Sequence, residues 1–223
     1  MHTPKNILVL DVGGTHVKMR ATGERARRQF DSGPAMTPQQ MVSKVQALSS
    51  GWRYDAVSIG YPGVVKRGQP SVEPHNLGPG WVRFDYEKAF KKPVRIINDA
   101  ALQALGSYQR GRMLFLGLGT GLGSALVIDG IIAPMELAHL PYKRGRSYEE
   151  YVGERGRKRL GSKKWRKAVA DVVVRLGAAL EADDIVIGGG NARRMQRLPK
   201  NTRRVSNSNA FLGGVRLWQP SSR

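Results

Sequence analysis

The chain has no cysteine among its 223 residues. That excludes disulfides and every metal site built on thiolates. Histidine is scarce too: His2, His16, His75 and His139 stand apart at no metal-site spacing. Acidic residues are few, 17 Asp and Glu against 37 Lys and Arg, so the formal net charge is +20. No apolar run is long enough for a signal or membrane-spanning helix, and a soluble, cytoplasmic chain with no membrane partner is expected. What is abundant is glycine. The 27 glycines, with 40% hydrophobic residues, fit a globular, turn-rich chain large enough to bury a proper core.

Two glycine turns follow apolar strands in the same manner. The first is Leu10-Asp11-Val12-Gly13-Gly14-Thr15-His16-Val17-Lys18, after the run from Ile7. The second is Leu116-Gly117-Leu118-Gly119-Thr120-Gly121-Leu122-Gly123, after Met113 to Leu116. Each reads as strand, tight turn, strand, and backbone amides in such turns can hold phosphate oxygens without side-chain bulk. Aligning the copies sets Asp11 opposite Gly117, so only the first carries a carboxylate. Two phosphate clips facing each other with one acid for a metal ion suit phosphoryl transfer. A single such turn would be a plain hairpin.

Between these turns, Thr37-Pro38-Gln39-Gln40 reads as a helix start, with Thr37 as N-cap and Gln40 closing a capping box, and Gly51 as terminator. Ala56 to Gly60 and Val94 to Ile97 read as strands, separated by an irregular stretch from Lys66 to Trp81. A helix from Ala100 to Tyr108 follows, and Gly111 marks an expected lobe boundary. Beyond the second turn, Trp165 to Leu180 reads as a helix with Val169, Val172, Val173 and Leu176 inward. Asp184 to Ile187 reads as a strand, and Asn209 to Trp218 as a last helix capped by Asn207 or Ser208. Alternating strands and helices on both sides of Gly111 imply two α/β lobes with a cleft between them. The expected segments are an N-terminal lobe at 1–110, a C-terminal lobe at 111–206, and a helix within 207–223 packing back on the first lobe.

Asn98-Asp99 falls where a strand becomes a helix, the edge of an open α/β sheet that faces ligands. A carboxylate there could accept the proton of a substrate hydroxyl during phosphoryl transfer. Helix capping explains the same two residues equally simply. Glu136 and His139 share a helical face and could bond adjacent hydroxyls of a polyol; a zinc pair would lack further ligands. Asn76 and the backbone at Pro62-Gly63 would complete a polar pocket. Gly188-Gly189-Gly190-Asn191 could admit a nucleotide base or be a tight turn.

The positive surplus is concentrated. Lys143, Arg144, Arg146, Arg155, Arg157, Lys158, Arg159, Lys163, Lys164, Arg166 and Lys167 face only Glu149, Glu150 and Glu154, and a second run holds Arg193, Arg194, Arg197, Lys200, Arg203 and Arg204. Such runs are either a solvated surface or the seat of a polyanion.

Asp11-Val12-Gly13-Gly14-Thr15, Gly60-Tyr61-Pro62-Gly63, Asn76-Leu77-Gly78, Asn98-Asp99-Ala100, Leu118 to Gly123, Glu136-Leu137-Ala138-His139 and Gly188 to Gly190 stand in one order along the chain. In that order they resemble the ROK sugar kinases, and within them the polyphosphate glucokinase branch. The resemblance implies a two-lobed, ribonuclease-H-like fold of the actin and hexokinase ATPase type, with an interlobe cleft. It implies a hexose kinase, glucose being favoured, that uses polyphosphate, ATP or both with Mg²⁺. Asp99 would be the base on the sugar 6-hydroxyl. Gly63, Asn76, Asn98, Glu136, His139 and Glu149 would hold the sugar. Gly13, Gly14, Thr15, Lys18, Gly119, Thr120 and Gly121 would bind the transferred phosphate, and Asp11 would serve the Mg²⁺. Gly189, Gly190 and Asn191 would contact the donor. Many family members carry a Cys/His zinc motif after the histidine, and here no zinc is expected; Glu149, in Tyr148-Glu149-Glu150-Tyr151, stands in for that motif's sugar-contacting glutamate. The family's repressors carry a DNA-binding domain ahead of the first lobe, so a nucleic-acid role is disfavoured, and a homodimer is allowed. The rival readings are a kinase for another hexose or amino sugar with ATP alone, and a polyanion-binding protein on an inactive kinase scaffold.

Overall fold

The structure, a computed structural model, describes residues 4–219. The chain forms two compact units. The first runs to Leu102 and resumes at Ala210; the second runs from Gln103 to Asn209. The division falls inside a helix, earlier than Gly111, because the start of that helix packs with the first unit's strands.

In the first unit the elements are β1 (Ile7–Val12), β2 (His16–Ala21), β3 (Arg28–Asp31), α1 (Pro38–Leu48), β4 (Ala56–Tyr61), β5 (Val65–Lys66), β6 (Gln69–Pro70), α2 (Tyr86–Phe90), β7 (Val94–Asn98) and the start of α3 (Asp99–Ser107). The sheet order is β3-β2-β1-β4-β7. β1, β2 and β3 are antiparallel hairpin neighbours, whereas β4 and β7 run parallel to β1. Parallel neighbours need a crossover, and α1 supplies the one from β3 to β4. α1 starts as its local sequence dictates: the Thr37 side chain accepts from Gln40 N–H and the Gln40 side chain accepts from Thr37 N–H. It ends at Ser49, which donates its N–H to Val45. Gly51 therefore lies in the following turn, at φ +86°, and does not terminate the helix.

β1 is buried on both faces, so it reads as an unbroken apolar run rather than an alternating one. Leu8, Leu10 and Val12 enter a core with Met41, Val45, Ile59 and Trp81. Ile7 and Val9 face the other way, against Leu102, Ala210 and Phe211. The second set includes α6 (Asn209–Arg216), whose residues from Ala210 onward belong to the first unit. Gly214 permits this approach, since a Cβ there would lie 2.4 Å from Val9 Cγ1. Ser58 Oγ donates to Gly214 O at 2.7 Å and accepts from Trp218 Nε1 at 2.8 Å.

The second unit holds β8 (Arg112–Leu118), β9 (Leu122–Ile128), β10 (Ile131–Met135), β11 (Pro141–Lys143), β12 (Arg146–Ser147), α4 (Tyr148–Val152), α5 (Glu154–Ala179), β13 (Asp184–Gly188) and β14 (Thr202–Arg204). Its sheet order, β10-β9-β8-β13-β14, repeats the first topology: three antiparallel strands, then two parallel to the first of them. The duplication seen in the glycine turns thus extends over whole sheets. α5 covers the sheet with Trp165, Ala168, Val169, Val172, Val173 and Leu176, spaced three and four apart as one helical face requires. It begins at Glu154, well before the apolar pattern becomes visible at Trp165, and bends at Gly161, where φ is 71°. Trp165 is fully buried, and its Nε1 donates to Val152 O at 2.8 Å, so the indole carries no unsatisfied donor into the core. Among the described residues no helix is long and apolar enough to cross a membrane.

Candidate active site

In the first unit, sheet register brings several of the expected residues to one edge. Asp11 pairs with Gly60 across β1 and β4, and Tyr61 pairs with Asn98 across β4 and β7. All three strands are parallel, so this edge is their carboxyl end, where ligands bind in open α/β sheets. Asp11 continues the face of β1 that carries Ile7 and Val9. It is only 8% exposed, and desolvation raises its pKa above the ordinary carboxylate value while Lys18 Nζ, 3.8 Å away, opposes that shift.

The turn after Asp11 is closed by Gly13 N–H donating to His16 O at 3.0 Å. Ser32 Oγ donates to Gly13 O at 2.6 Å and braces it from β3's end. Thr15 lies exposed at the tip. Gly14 packs so closely against Asn76 that a Cβ would sit 2.6 Å from Asn76 Cβ. The irregular stretch that carries Asn76 is thereby held beside the turn. Asn98 Nδ2 donates to Gly63 O at 3.1 Å, and Asn98 Oδ1 accepts from Ala100 N–H at 2.9 Å and Ala101 N–H at 3.2 Å. Asn98 is therefore the cap of α3, and it ties that cap to Gly63. Asp99 is the first helical residue, and its Oδ1 also accepts from Ala100 N–H, at 2.7 Å.

The second turn resembles the first but is tighter. Gly13 to His16 lie between the paired residues Val12 and Val17, whereas only Gly119 to Gly121 lie between Leu118 and Leu122. Gly119 N–H donates to Gly121 O at 3.2 Å, and Thr120 is exposed. Glu149, on α4, places Oε2 3.3 Å from Leu122 N, which donates to it, and a Cβ at Gly121 would collide with that carboxylate. Glu154 donates its N–H to Thr120 O at 3.1 Å, fixing the start of α5 at the turn. Asn191 Nδ2 donates to Gly119 O at 3.2 Å and to Glu154 Oε2 at 3.0 Å. Arg157 and Asn191 hold the Glu154 carboxyl down at about 2. Gly189 adopts φ +83° and runs against Leu118, with no room for a Cβ, while Gly190 is open. Glu136 precedes and His139 ends a single 3₁₀ turn, Leu137–His139; both side chains are exposed and bond to no described residue.

Several side chains prove to be spoken for. The Asn191 amide braces the second turn and is buried, so what faces outward there is the backbone of Gly190. Asn207 does not cap α6 through its oxygen, which accepts from Gly189 N–H at 3.0 Å. In the basic runs, Lys143, Arg146 and Arg157 pair with Asp171, Glu150 and Glu154. Arg203 grips Asp184 through two nitrogens and donates to Ser107 O at 2.7 Å, which makes it a structural residue of β14. The supports Ser32 and Glu154 stand far in sequence from the groups they hold, and no local motif announces them, whereas Asn191 lies in the glycine motif but braces Gly119. Among the described residues, no cluster of three or more histidines or carboxylates could cage a metal ion.

A sheet duplicated in this topology, each copy with a glycine turn after its first strand, defines an α/β protein of the actin and hexokinase ATPase type. The model of the ROK family matches residues 7–134, and the chain belongs to that family. A polyphosphate glucokinase from Mycobacterium tuberculosis (strain CDC 1551 / Oshkosh) is 26% identical over 213 residues, spanning 84% of this chain and 78% of that protein. The crystal structure of an inorganic polyphosphate/ATP-glucomannokinase from Arthrobacter sp. strain KM superposes with a TM-score of 0.79 at 22% identity, covering 97% of this chain and 98% of the other. A ROK family glucokinase from Streptomyces griseus, solved with glucose and AMPPNP, gives a TM-score of 0.70 at 16% identity over 95% and 98%.

Proposed function

We propose that the chain is a hexose kinase that transfers a phosphoryl group from polyphosphate, ATP or both to the 6-hydroxyl of glucose. The observation that carries this reading is the shared carboxyl edge of β1, β4 and β7, where Asp11, the Gly14–Asn76 contact and the Asn98–Asp99 junction meet. The activities named for the relatives supply the acceptor and the two donors.

In this mechanism Asn76 and Asn98 orient sugar hydroxyls, with Glu136, His139 and Glu149 as further sugar contacts. Asp99 accepts the 6-hydroxyl proton as its oxygen attacks the terminal phosphorus. The phosphoanhydride bond breaks, and the electron pair leaves on the shortened polyphosphate or on ADP. Amides of the Gly13–Thr15 and Gly119–Gly121 turns receive the charge on the transferred group, with Lys18 beside the first. Asp11 fits a Mg²⁺ ligand: a hard dication needs only one or two carboxylates when phosphate oxygens and waters complete its shell, and it would relieve the cost of burying that charge. When bound, Mg²⁺ would neutralise donor phosphate oxygens.

Replacing the base tests this. Asp99→Asn keeps size and bonding capacity but loses the proton acceptor, so kcat falls by roughly a hundredfold or more while sugar affinity changes far less. Near-normal turnover in that variant would reduce Asp99 to a helix-start residue.

A further inference from the structure

Within the second unit, a solvent-open groove of about 220 Å³ runs between the β11–β12 hairpin and α5. Its rim carries Lys143, Lys164 and Lys167, and its floor Tyr142, Tyr151 and Leu160. Lys164 and Lys167 stand three residues apart on the helix beyond Gly161, so they share one of its faces, and Leu160 precedes the break. Lys143 is held by Asp171 at 2.9 Å, but no described carboxylate pairs with Lys164 or Lys167. Like charges one helical turn apart destabilise the free helix, and an anion between them reverses that cost.

The groove also has a fixed relation to the second glycine turn. Glu154 N–H is bonded to Thr120 O, so α5 starts at the turn, and Lys164 lies ten residues along it. The stretch from Glu154 to Leu160, which already lines the groove, rises about 9 Å at 1.5 Å per residue, and Lys164 lies beyond the break at Gly161. Exposed Arg155 and Lys158 line the interval. A donor with its reactive phosphate at the turn reaches the groove only if its charge extends that far, which the three phosphates of ATP do not. The volume is also below the roughly 300 Å³ at which small-molecule pockets begin. A stacked nucleic-acid base is disfavoured as well. Tyr142 is already flanked by Lys143 at 4.6 Å, Arg175 at 5.8 Å and Tyr148 at 5.1 Å from its ring centre. Its hydroxyl is spent on Asp171 at 2.5 Å.

We propose that this groove binds the distal phosphates of long-chain inorganic polyphosphate, so that the protein distinguishes donors by length. The site rests on the donor reading above. It adds a contact that begins only when the chain passes beyond the turn.

The test is the double variant Lys164→Glu/Lys167→Glu in the full chain, with long-chain polyphosphate, tripolyphosphate and ATP as donors at low salt. KM for long-chain polyphosphate is expected to rise about tenfold or more, and its dependence on salt to flatten as fewer counterions are released. KM for tripolyphosphate and ATP should stay within about twofold, with kcat preserved. An unchanged long-chain KM, or an equal rise for all three donors, overturns the groove and leaves the kinase reading intact. A second readout needs no turnover: long-chain polyphosphate should protect Lys164 and Lys167 from acetylation in the wild-type protein. Protection without phosphoryl transfer would keep the groove and refute the donor reading, whereas no protection refutes the groove. Stronger protection by single-stranded DNA than by polyphosphate would assign it to nucleic acid instead.

Discussion

Gly14 and Asn76 are in contact so close that only a hydrogen fits between the Gly14 backbone and the Asn76 side chain: a Cβ on Gly14 would lie 2.6 Å from the Asn76 Cβ. The contact joins the turn proposed for phosphate to a residue proposed for sugar, although sixty-two positions separate them in sequence. Gly14→Ala must therefore displace either the turn or the Asn76 segment. Overpacking of this kind costs about 1–3 kcal/mol, and here it falls on the proposed site. Both the sugar KM and kcat should worsen, by about tenfold or more in kcat/KM. A folded Gly14→Ala protein with the wild-type kcat/KM would show that the Gly14–Asn76 contact has no part in the site.

The second turn depends on a buried amide. Asn191→Ala leaves Gly119 O without its side-chain donor and removes one of the bonds to Glu154 Oε2, which Arg157 Nε still holds, so the turn loosens. Donor KM should rise while sugar KM holds, and steady-state kinetics with each substrate varied in turn separates the two. A rise confined to sugar KM would remove the second turn from the donor's path.

Acid stability reports on the tether between the β11–β12 hairpin and α5. The Tyr142 hydroxyl first, then Lys143 and Arg175, hold the Asp171 carboxyl at about 2, below its ordinary 3.8. The folded pKa is depressed, so the stabilisation is fully present above about 4 and is lost as pH falls towards 2. Asp171→Asn should lower the melting temperature at neutral pH and flatten its decline across that window. A variant with an unaltered acid profile would mean that the tether contributes nothing net, as many exposed pairs do.

Metal content is equally checkable. With no cysteine, and with Glu136 and His139 lacking further ligands, extensive chelation should remove no stoichiometric zinc and lower no melting temperature. Activity should vanish on chelation and return with Mg²⁺ alone. A zinc ion retained through His139 would reassign that residue from sugar to metal.

Local signals in the sequence were strong where the structure is local. The box starts α1 because Thr37 and Gln40 satisfy each other's backbone N–H groups and Pro38, between them, has none to satisfy. The turns at Gly13 and Gly119 were visible because glycine and flanking apolar strands lie together. β14 was not visible, since Thr-Arg-Arg has no strand pattern and forms only because β13 offers a parallel edge and Asp184 a partner for Arg203. β10 carries Pro134 and mostly exposed side chains, as an edge strand tolerates, so it lacks the alternation that marks a half-buried strand. The first ten residues of α5 are masked by charge and by Gly161. In the candidate site, the residues proposed for the chemistry stand in the motifs that the sequence displays. Their supports Ser32 and Glu154 stand in no such motif, because each acts across a turn or between elements far apart in the chain, and the bracing role of Asn191 depends on the distant Gly119.

The most direct measurement is the product itself. Glucose, mannose and an amino sugar are incubated with the purified protein, Mg²⁺ and either long-chain polyphosphate or ATP, and ³¹P NMR follows the phosphorus. The account predicts a phosphomonoester on the 6-oxygen of glucose, formed with polyphosphate at least as well as with ATP at low salt, and formed about a hundredfold or more slowly in Asp99→Asn. A folded, Mg²⁺-replete protein that phosphorylates no sugar from either donor would contradict it.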